Sequence, residues 1–373
     1  MNDTPIKHSP FFYVTLEGTA YEIGRQQGEL VRGIPGWLQF VRSGKDAFNP
    51  EERRQVSALF DRHCPGLNDE IRGLADGAGI QFDEVMYYAI TYMRAGNCSH
   101  LAVLPAAASD GHVLVARNYE FGDQEDDMRL CTTRVQGKYA HLGFSSLLFG
   151  RNDGMNEHGL SVTMSSGGIP VGKYIPPIQS GFQFWALIRH LLENCRSVEE
   201  VLGEVEDFPL CGNTVLIAAD RSGKAALIEF YGPHKAVRCI DAQSANPAVY
   251  ATNHYTLPEM QSWPVQQLAN SPVRYQTIER FVSAEAPKID RGKLKLLFGS
   301  AYPQGLTCHY YAEYFGTLHS LVFDLTSGEA EICFGSPIAN PWRRFDLATP
   351  SRPEPYMTAL PQETAEADFW KGE

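Results

Sequence analysis

Cys98, in Arg94-Ala-Gly-Asn-Cys-Ser-His100, is followed at hairpin distance by Val113-Leu-Val-Ala-Arg-Asn-Tyr-Glu-Phe121. A cysteine that opens a strand in mid-chain, with an arginine and a carboxylate returning on the next strand, has the makings of a nucleophile that a peptide-bond cut exposes as a new N-terminus. A free thiol, with a pKa of about 8.5, is mostly protonated at neutral pH and needs a base. If the Asn97–Cys98 bond is cut, the freed α-amine, with a pKa of about 8, sits a few bonds from the sulfur and serves as that base. No catalytic histidine is then required. A two-residue turn at Asp110-Gly111 sets Cys98 opposite Asp123, and Pro105 with the three alanines after it can shift that register by several residues, bringing Arg117 and Glu120 to the thiol. The competing reading makes Cys98 a small buried hydrophobe, the ordinary fate of a cysteine and the one expected for Cys64, Cys131, Cys195, Cys211, Cys239, Cys308 and Cys333.

The elements that must position these residues fall into stretches of different pattern. Residues 1–97 read as a mainly helical segment, with helices over Tyr21–Val31, Pro50–Arg62, Leu67–Ala78 and Gln81–Met93. From Cys98 the chain turns to β-branched and aromatic runs broken by turn residues: Cys98–Leu104, Gly111–Tyr119, Leu130–Val135, Ser145–Phe149 and Leu160–Met164. Asn152-Asp153-Gly154 and Asn156-Glu-His-Gly159 read as turns. Helices over Gly181–Asn194 and Ser197–Glu206 follow, the second opened by a Ser197/Glu200 capping box. Strands return at Thr214–Ala219, Ala225–Phe230 and Ala236–Ile240. A helix opened by Ser271-Pro272 runs to Ser283, another covers Lys293–Phe298, and a hairpin joins Thr317–Asp324 to Glu329–Phe334. This order, without regular βαβ alternation, predicts an α+β fold with its catalytic core over residues 98–350. Residues 351–373, rich in Pro, Glu, Thr and Ala, are expected to be extended or disordered.

Composition narrows the function. With 373 residues and 43% hydrophobic content the chain can bury a large core, and a net charge of −12 with pI near 5.4 disfavours a nucleic-acid partner, which needs a basic face. No run reaches 18 apolar residues and the opening ten residues lack a signal-peptide core, so no membrane association and a cytoplasmic location are expected. Eight cysteines without a C-x-x-C pair read as reduced thiols and give no zinc pattern.

Cys98-Ser-His-Leu-Ala-Val103, Arg117-Asn-Tyr-Glu-Phe121, Gly154-Met-Asn-Glu-His-Gly-Leu160 and Ala251-Thr-Asn-His-Tyr255 stand in the order found in N-terminal-nucleophile (Ntn) hydrolases. Within them the chain resembles the group containing acyl-coenzyme A:6-aminopenicillanic-acid acyltransferase, related to the bile-salt and penicillin V hydrolases. Leu16–Leu30 and Leu67–Gly79 carry the same likeness ahead of the cysteine. The resemblance implies an αββα sandwich of two antiparallel sheets flanked by helices. It implies self-cleavage of a zymogen between Asn97 and Cys98, and a small and a large chain that stay associated.

It also assigns roles residue by residue. Arg117 matches an arginine at the nucleophile, Asn253 an asparagine whose side-chain N–H donates to the oxyanion, and Arg274 a site arginine that follows it. Glu120 stands where relatives usually carry aspartate. Ser166 falls where the bile-salt enzymes have a second oxyanion asparagine, a departure that fits the acyltransferase-like branch better. Tyr255, with Phe182, Phe184, Trp185, Tyr310 and Tyr311, is expected near the substrate. Asn156 reads as a structural turn residue.

The function expected is a cysteine amidohydrolase that opens a linear amide through an acyl-thioester on Cys98, with no metal or cofactor, acting on a small-molecule amide or acyl substrate and compatible with a homo-oligomer. The alternatives are an acyl-coenzyme A-dependent N-acyltransferase and a catalytically silent binding protein of the same fold. The silent reading predicts loss of Cys98 or Arg117, and both are present.

Overall fold

The computed structural model describes residues 4–34, 36–42, 49–85, 97–171, 181–349 and 353–372. The leading helices are α1 (Ala20–Arg32), α2 (Trp37–Arg42), α3 (Pro50–His63) and α4 (Leu67–Ala78). The helix expected over Gln81–Met93 falls mostly outside the described residues. Thr19 with Glu22 and Asn49 with Glu52 form capping boxes that start α1 and α3, each satisfying orphan backbone N–H groups. Helices α1 and α4 touch backbone to backbone: a Cβ on Gly24 would sit 1.9 Å from the Glu70 carbonyl oxygen, and one on Gly73 2.0 Å from that of Tyr21. The glycines of the Leu16–Leu30 and Leu67–Gly79 motifs therefore exist to let two helices meet.

Two sheets face each other. The larger runs in the order β12-β11-β10-β8-β7-β5-β4-β1-β19, with β6 added to β5. Its strands are β1 (Ile6–Gly18), β4 (Arg129–Val135), β5 (His141–Ser146), β6 (Gly150–Arg151), β7 (Asp153–Asn156), β8 (Leu160–Ser166), β10 (Asn213–Asp220), β11 (Lys224–Tyr231), β12 (His234–Ile240) and β19 (Glu354–Pro361). The second runs β13-β2-β3-β16-β17-β18, with β15 on β16: β2 (Asn97–Val103), β3 (Leu114–Phe121), β13 (Ala248–Ala251), β15 (His309–Tyr310), β16 (Phe315–Asp324), β17 (Glu329–Phe334) and β18 (Trp342–Asp346). A two-stranded ribbon joins β9 (Ile169–Pro170) to β14 (Val265–Gln266). Helices α5 (Phe184–Asn194) and α6 (Val198–Asp207) cover the large sheet, and α7 (Asn270–Glu285) and α8 (Arg291–Phe298) the second. Ile278, Val282, Leu294 and Phe298 of the latter pair pack on Leu101, Leu114, Ala116 and Val322. The layers are thus α, β, β, α, as expected. Among the described residues no helix is long and apolar enough to cross a membrane.

Two features depart from the sequence reading. The large sheet is mixed, because β1 runs parallel to β4 while pairing antiparallel with β19. The segment before Cys98 is therefore not purely helical: it contributes a strand to the core sheet. Pro10 argues against a strand in sequence, yet it lies where β1 pairs only with β19, ahead of the β4 pairing that begins at Phe12, so its missing N–H breaks no bond to β4. The stretch from residue 353 is extended, one of the two states expected of it, and forms β19 and a 3-10 turn at Ala367–Trp370.

Candidate active site

Cys98 and Arg117 meet across the β2–β3 hairpin. Cys98 pairs with Tyr119 and His100 with Arg117, four residues away from the register that a turn at Asp110-Gly111 alone would give. The connection is longer because Pro105–Ala108 form their own turn, held by the Ala107 N–H to Leu104 bond and a bridge from Ala108 to Ile289. Side chains alternate along both strands. Cys98, His100, Arg117 and Tyr119 point between the sheets, while Ser99, Asn118 and Glu120 point toward α7 and α8, where Asn118 Nδ2 donates to Phe298 O and Arg274 Nη1 to Ser99 Oγ.

The sulfur is fully buried, and Arg117 Nη2 donates to it at 3.1 Å. Burial pushes the thiol up to about 12; Arg117 pulls the other way and Glu120 adds to the rise. At neutral pH the buried thiol is thus protonated. Arg117 is itself held by four groups: its Nε donates to Met164 O on β8 at 3.0 Å, its Nη1 pairs with Asp153 and lies 3.3 Å from His319 Nε2, and the Tyr119 ring lies 5.0 Å from its carbon centre. Asp153 also accepts from Phe144 N and pairs with His319 Nε2 at 3.0 Å. Burial alone would raise the Asp153 carboxyl, but Arg117 and then His319 outweigh it and hold it below the usual range. His319 is lowered to about 4 by burial, is neutral at pH 7 and lies flat on Phe144. A bulge in β16 between Thr317 and His319 turns His319 toward Arg117.

On the other side of Cys98, Asn253 follows β13. Its Oδ1 accepts from Cys98 N at 3.1 Å and from Arg274 Nη2 at 2.7 Å, and its Nδ2 donates to Ser166 Oγ at 2.9 Å. The two acceptor contacts fix the amide so that its N–H2 end faces Ser166. Ser271, in the first turn of α7, anchors the loop by accepting from Asn253 N at 2.8 Å. Arg274 Nη1 donates to Cys98 O at 2.7 Å, so it touches the backbone of the nucleophile and not the sulfur.

Of the residues singled out in sequence, Cys98, Arg117, Ser166, Asn253 and Arg274 come together, and Asn97 opens β2 directly before Cys98. Glu120 lies on the far face of the sheet from the sulfur. It accepts from Thr317 Oγ1 at 3.3 Å, and its Oε2 has no partner among the described residues. Tyr255 stands behind the site: its hydroxyl donates to Phe230 O, and its ring presses on Gly167, where a Cβ would come within 2.5 Å. It braces the turn after Ser166. Phe182, Phe184, Trp185 and Tyr311 are buried in the core, and Tyr310 packs on Phe369. The large cavity, of about 1180 Å³, is lined instead by Tyr13, Trp37, Asp126, Asp127, Met128 and Leu148. Asp126 of the cavity wall lies near Tyr119, the residue that pairs with Cys98 across the hairpin. Asn156 is structural as expected, donating to Leu192 O and Cys195 O. Asp153 and His319 were not anticipated.

Burial raises Glu120 to about 8 against the pull of Arg274 and Arg117. The folded chain therefore holds a proton between pH 4.5 and 8 that the unfolded chain has released, and stability falls as pH rises through that window. Glu120→Gln removes this linkage. In an uncleaved Cys98→Ala background its melting temperature should gain on that of the parent between about pH 5 and pH 8; a pH-independent difference would mean that Glu120 is ionised throughout.

The layer order and a cysteine at the start of an inner strand define the Ntn hydrolase class. The chain belongs to the acyl-coenzyme A:6-aminopenicillanic acid acyl-transferase family, whose sequence profile matches residues 107–339 and so begins just after Cys98. A protein of Archaeoglobus fulgidus, described as uncharacterized, is 22% identical over 92% of this chain, which spans 66% of that relative's length. Similar solved structures include penicillin V acylase from Agrobacterium tumefaciens, at 16% identity over 68% of this chain and 87% of that one with a TM-score of 0.46. A variant of conjugated bile acid hydrolase from Clostridium perfringens is another, at 14% identity over 72% and 100% with a TM-score of 0.44.

Proposed function

We propose that this chain is a self-processing cysteine amidohydrolase acting on linear amides. The observation that carries the proposal is the double grip on Cys98, whose sulfur is held by Arg117 and whose N–H is held by Asn253, residues from different strands and loops. In processing, Cys98 Sγ attacks the Asn97 carbonyl carbon, the C–N bond breaks as the amide nitrogen takes the thiol proton, and water hydrolyses the thioester. The products are the Asn97 carboxylate and a free Cys98 α-amine.

In turnover that amine takes the thiol proton, and Sγ attacks the substrate carbonyl. The oxyanion is stabilised by donors from Asn253 Nδ2 and the Ser166 turn. The α-ammonium returns its proton to the leaving amine, and water discharges the acyl-thioester. Arg117, kept in place by Asp153, stabilises the thiolate as it forms. The Tyr13–Trp37 cavity would take the apolar part of the substrate.

The family's own description favours a second reading in which an amine, not water, receives the acyl group. A panel of N-acyl amino acids, aryl-acetyl amides, β-lactams and conjugated bile salts, assayed with and without chelator and with acyl-coenzyme A plus amine acceptors, separates the two. Chelator-insensitive release of the free acid is expected. Turnover with acyl-coenzyme A donors alone would move the assignment to acyltransferase, and chelator-sensitive turnover would overturn the mechanism.

A further inference from the structure

Arg274 is placed by something outside its own helix. In addition to its bonds to Cys98 O, Ser99 Oγ and Asn253 Oδ1, its Nη2 and Nε donate to Asn270 Oδ1 at 2.7 and 3.2 Å. A side-chain amide has one acceptor end and one donor end, so whichever group takes the donor end decides what the acceptor faces. Here Asn270 Nδ2 donates to the carbonyl of Phe369 at 3.0 Å. That carbonyl belongs to the 3-10 turn Ala367–Trp370, which the sequence marks only as part of a polar, Pro-rich stretch.

The same turn is locked down on both sides. Ala269 N donates to Lys371 O at 2.8 Å, and Leu268 bridges Gly372. Phe369 is 4% exposed, and its ring stands edge-on to Phe315 at 4.8 Å, Tyr302 at 5.0 Å and Tyr310 at 5.0 Å. Phe315 carries the Arg274 guanidinium on its own ring at 5.1 Å. The segment therefore reaches Arg274 by two routes, through the Asn270 amide and through the Phe315 ring. Both end on a guanidinium that holds the carbonyl of the proposed nucleophile.

We infer that segment 367–372 is a positioning latch for Arg274, with Phe369 and Asn270 as positioning residues and Phe369 its anchor. The inference rests on the reading of Cys98 as nucleophile, and it adds that the geometry at Cys98 depends on a segment far along the chain. With the latch open, the Asn270 amide is free to rotate, Arg274 loses its orienting acceptor, and the Cys98 carbonyl and Asn253 Oδ1 lose their Arg274 donor.

The test uses the full chain with Phe369→Ala, Phe369→Leu and Asn270→Ser. It follows the rate of Asn97–Cys98 cleavage by intact mass, the rate of Cys98 alkylation by iodoacetamide by peptide mass, and the melting temperature. Misplacement of a reacting group by about 1 Å can cost a factor of about 100, so Phe369→Ala and Asn270→Ser should cleave about 10- to 100-fold more slowly. Compared on the uncleaved chains alone, their Cys98 should alkylate about tenfold faster than that of the parent, as a locally loosened site does. Phe369→Leu, which refills the anchor, should restore most of both rates. Asn270→Ser leaves Phe369 docked and serves if Phe369→Ala fails to fold. Wild-type rates in folded Phe369→Ala or Asn270→Ser, or a folded Phe369→Leu as impaired as Phe369→Ala, would overturn the latch. A wild-type chain that never cleaves would sink the self-processing reading instead, and the alkylation ratios would still decide the latch.

Discussion

Cys98→Ala is expected to leave the chain in one piece and without amidase activity, because one sulfur performs both the shift that cuts Asn97–Cys98 and the attack on substrate. The two losses have a common cause and should appear together. The substitution removes one buried sulfur, so the fold should survive: circular dichroism and melting should show a native protein, and intact mass an uncut one. Cleaved and active Cys98→Ala protein would remove Cys98 from the mechanism. Cleaved but inactive protein would assign the cut to another group or to a protease.

Asn253→Ala is the second large effect. Loss of one oxyanion donor lowers kcat by roughly 10²- to 10³-fold, with KM for the best amide of the panel little changed. The substitution also strips an acceptor from Arg274 Nη2 and from Cys98 N, both buried. Leaving them unmatched should cost about 1–3 kcal/mol of stability. A wild-type kcat combined with that loss of stability would make Asn253 a scaffold residue and move the oxyanion site elsewhere.

The sequence is a good guide wherever chemistry and pattern coincide in one short stretch. Cys98–Leu104 and Gly111–Tyr119 read as strands from their apolar and β-branched content, and Cys98 and Arg117 could be named because both lie on that hairpin. The register needed the Pro105–Ala108 turn and its bridge to Ile289, a partner nearly two hundred residues away, which is why the spacing alone misplaces Cys98 by four positions. Glu120 does not follow from that error: a shift of four keeps every face, and alternation along the strand puts Glu120, three residues from Arg117, on the α7 side and away from the sulfur in either register.

Asp153 was hidden by its neighbours. Asn-Asp-Gly is turn chemistry wherever it occurs, and nothing local marks this aspartate as the one that β7 buries against Arg117. His319 depends on a one-residue bulge that no pattern in β16 announces. Strand β1 was masked by Pro10, which is tolerated only because of the place at which β4 starts to pair. These misses share one cause. Each residue owes its role to a partner distant in sequence.

The most direct test of self-processing is a denaturing gel with intact mass of the purified protein, beside its elution on a native sizing column. The account predicts two chains, residues 1–97 and 98–373, that elute together at the size of the 41.5 kDa parent or a multiple of it. They should stay together because β1 lies between β4 and β19, and because Glu70 of the first chain is bound bidentately to Arg189 of the second at 2.9 and 2.6 Å. A single intact chain would contradict it.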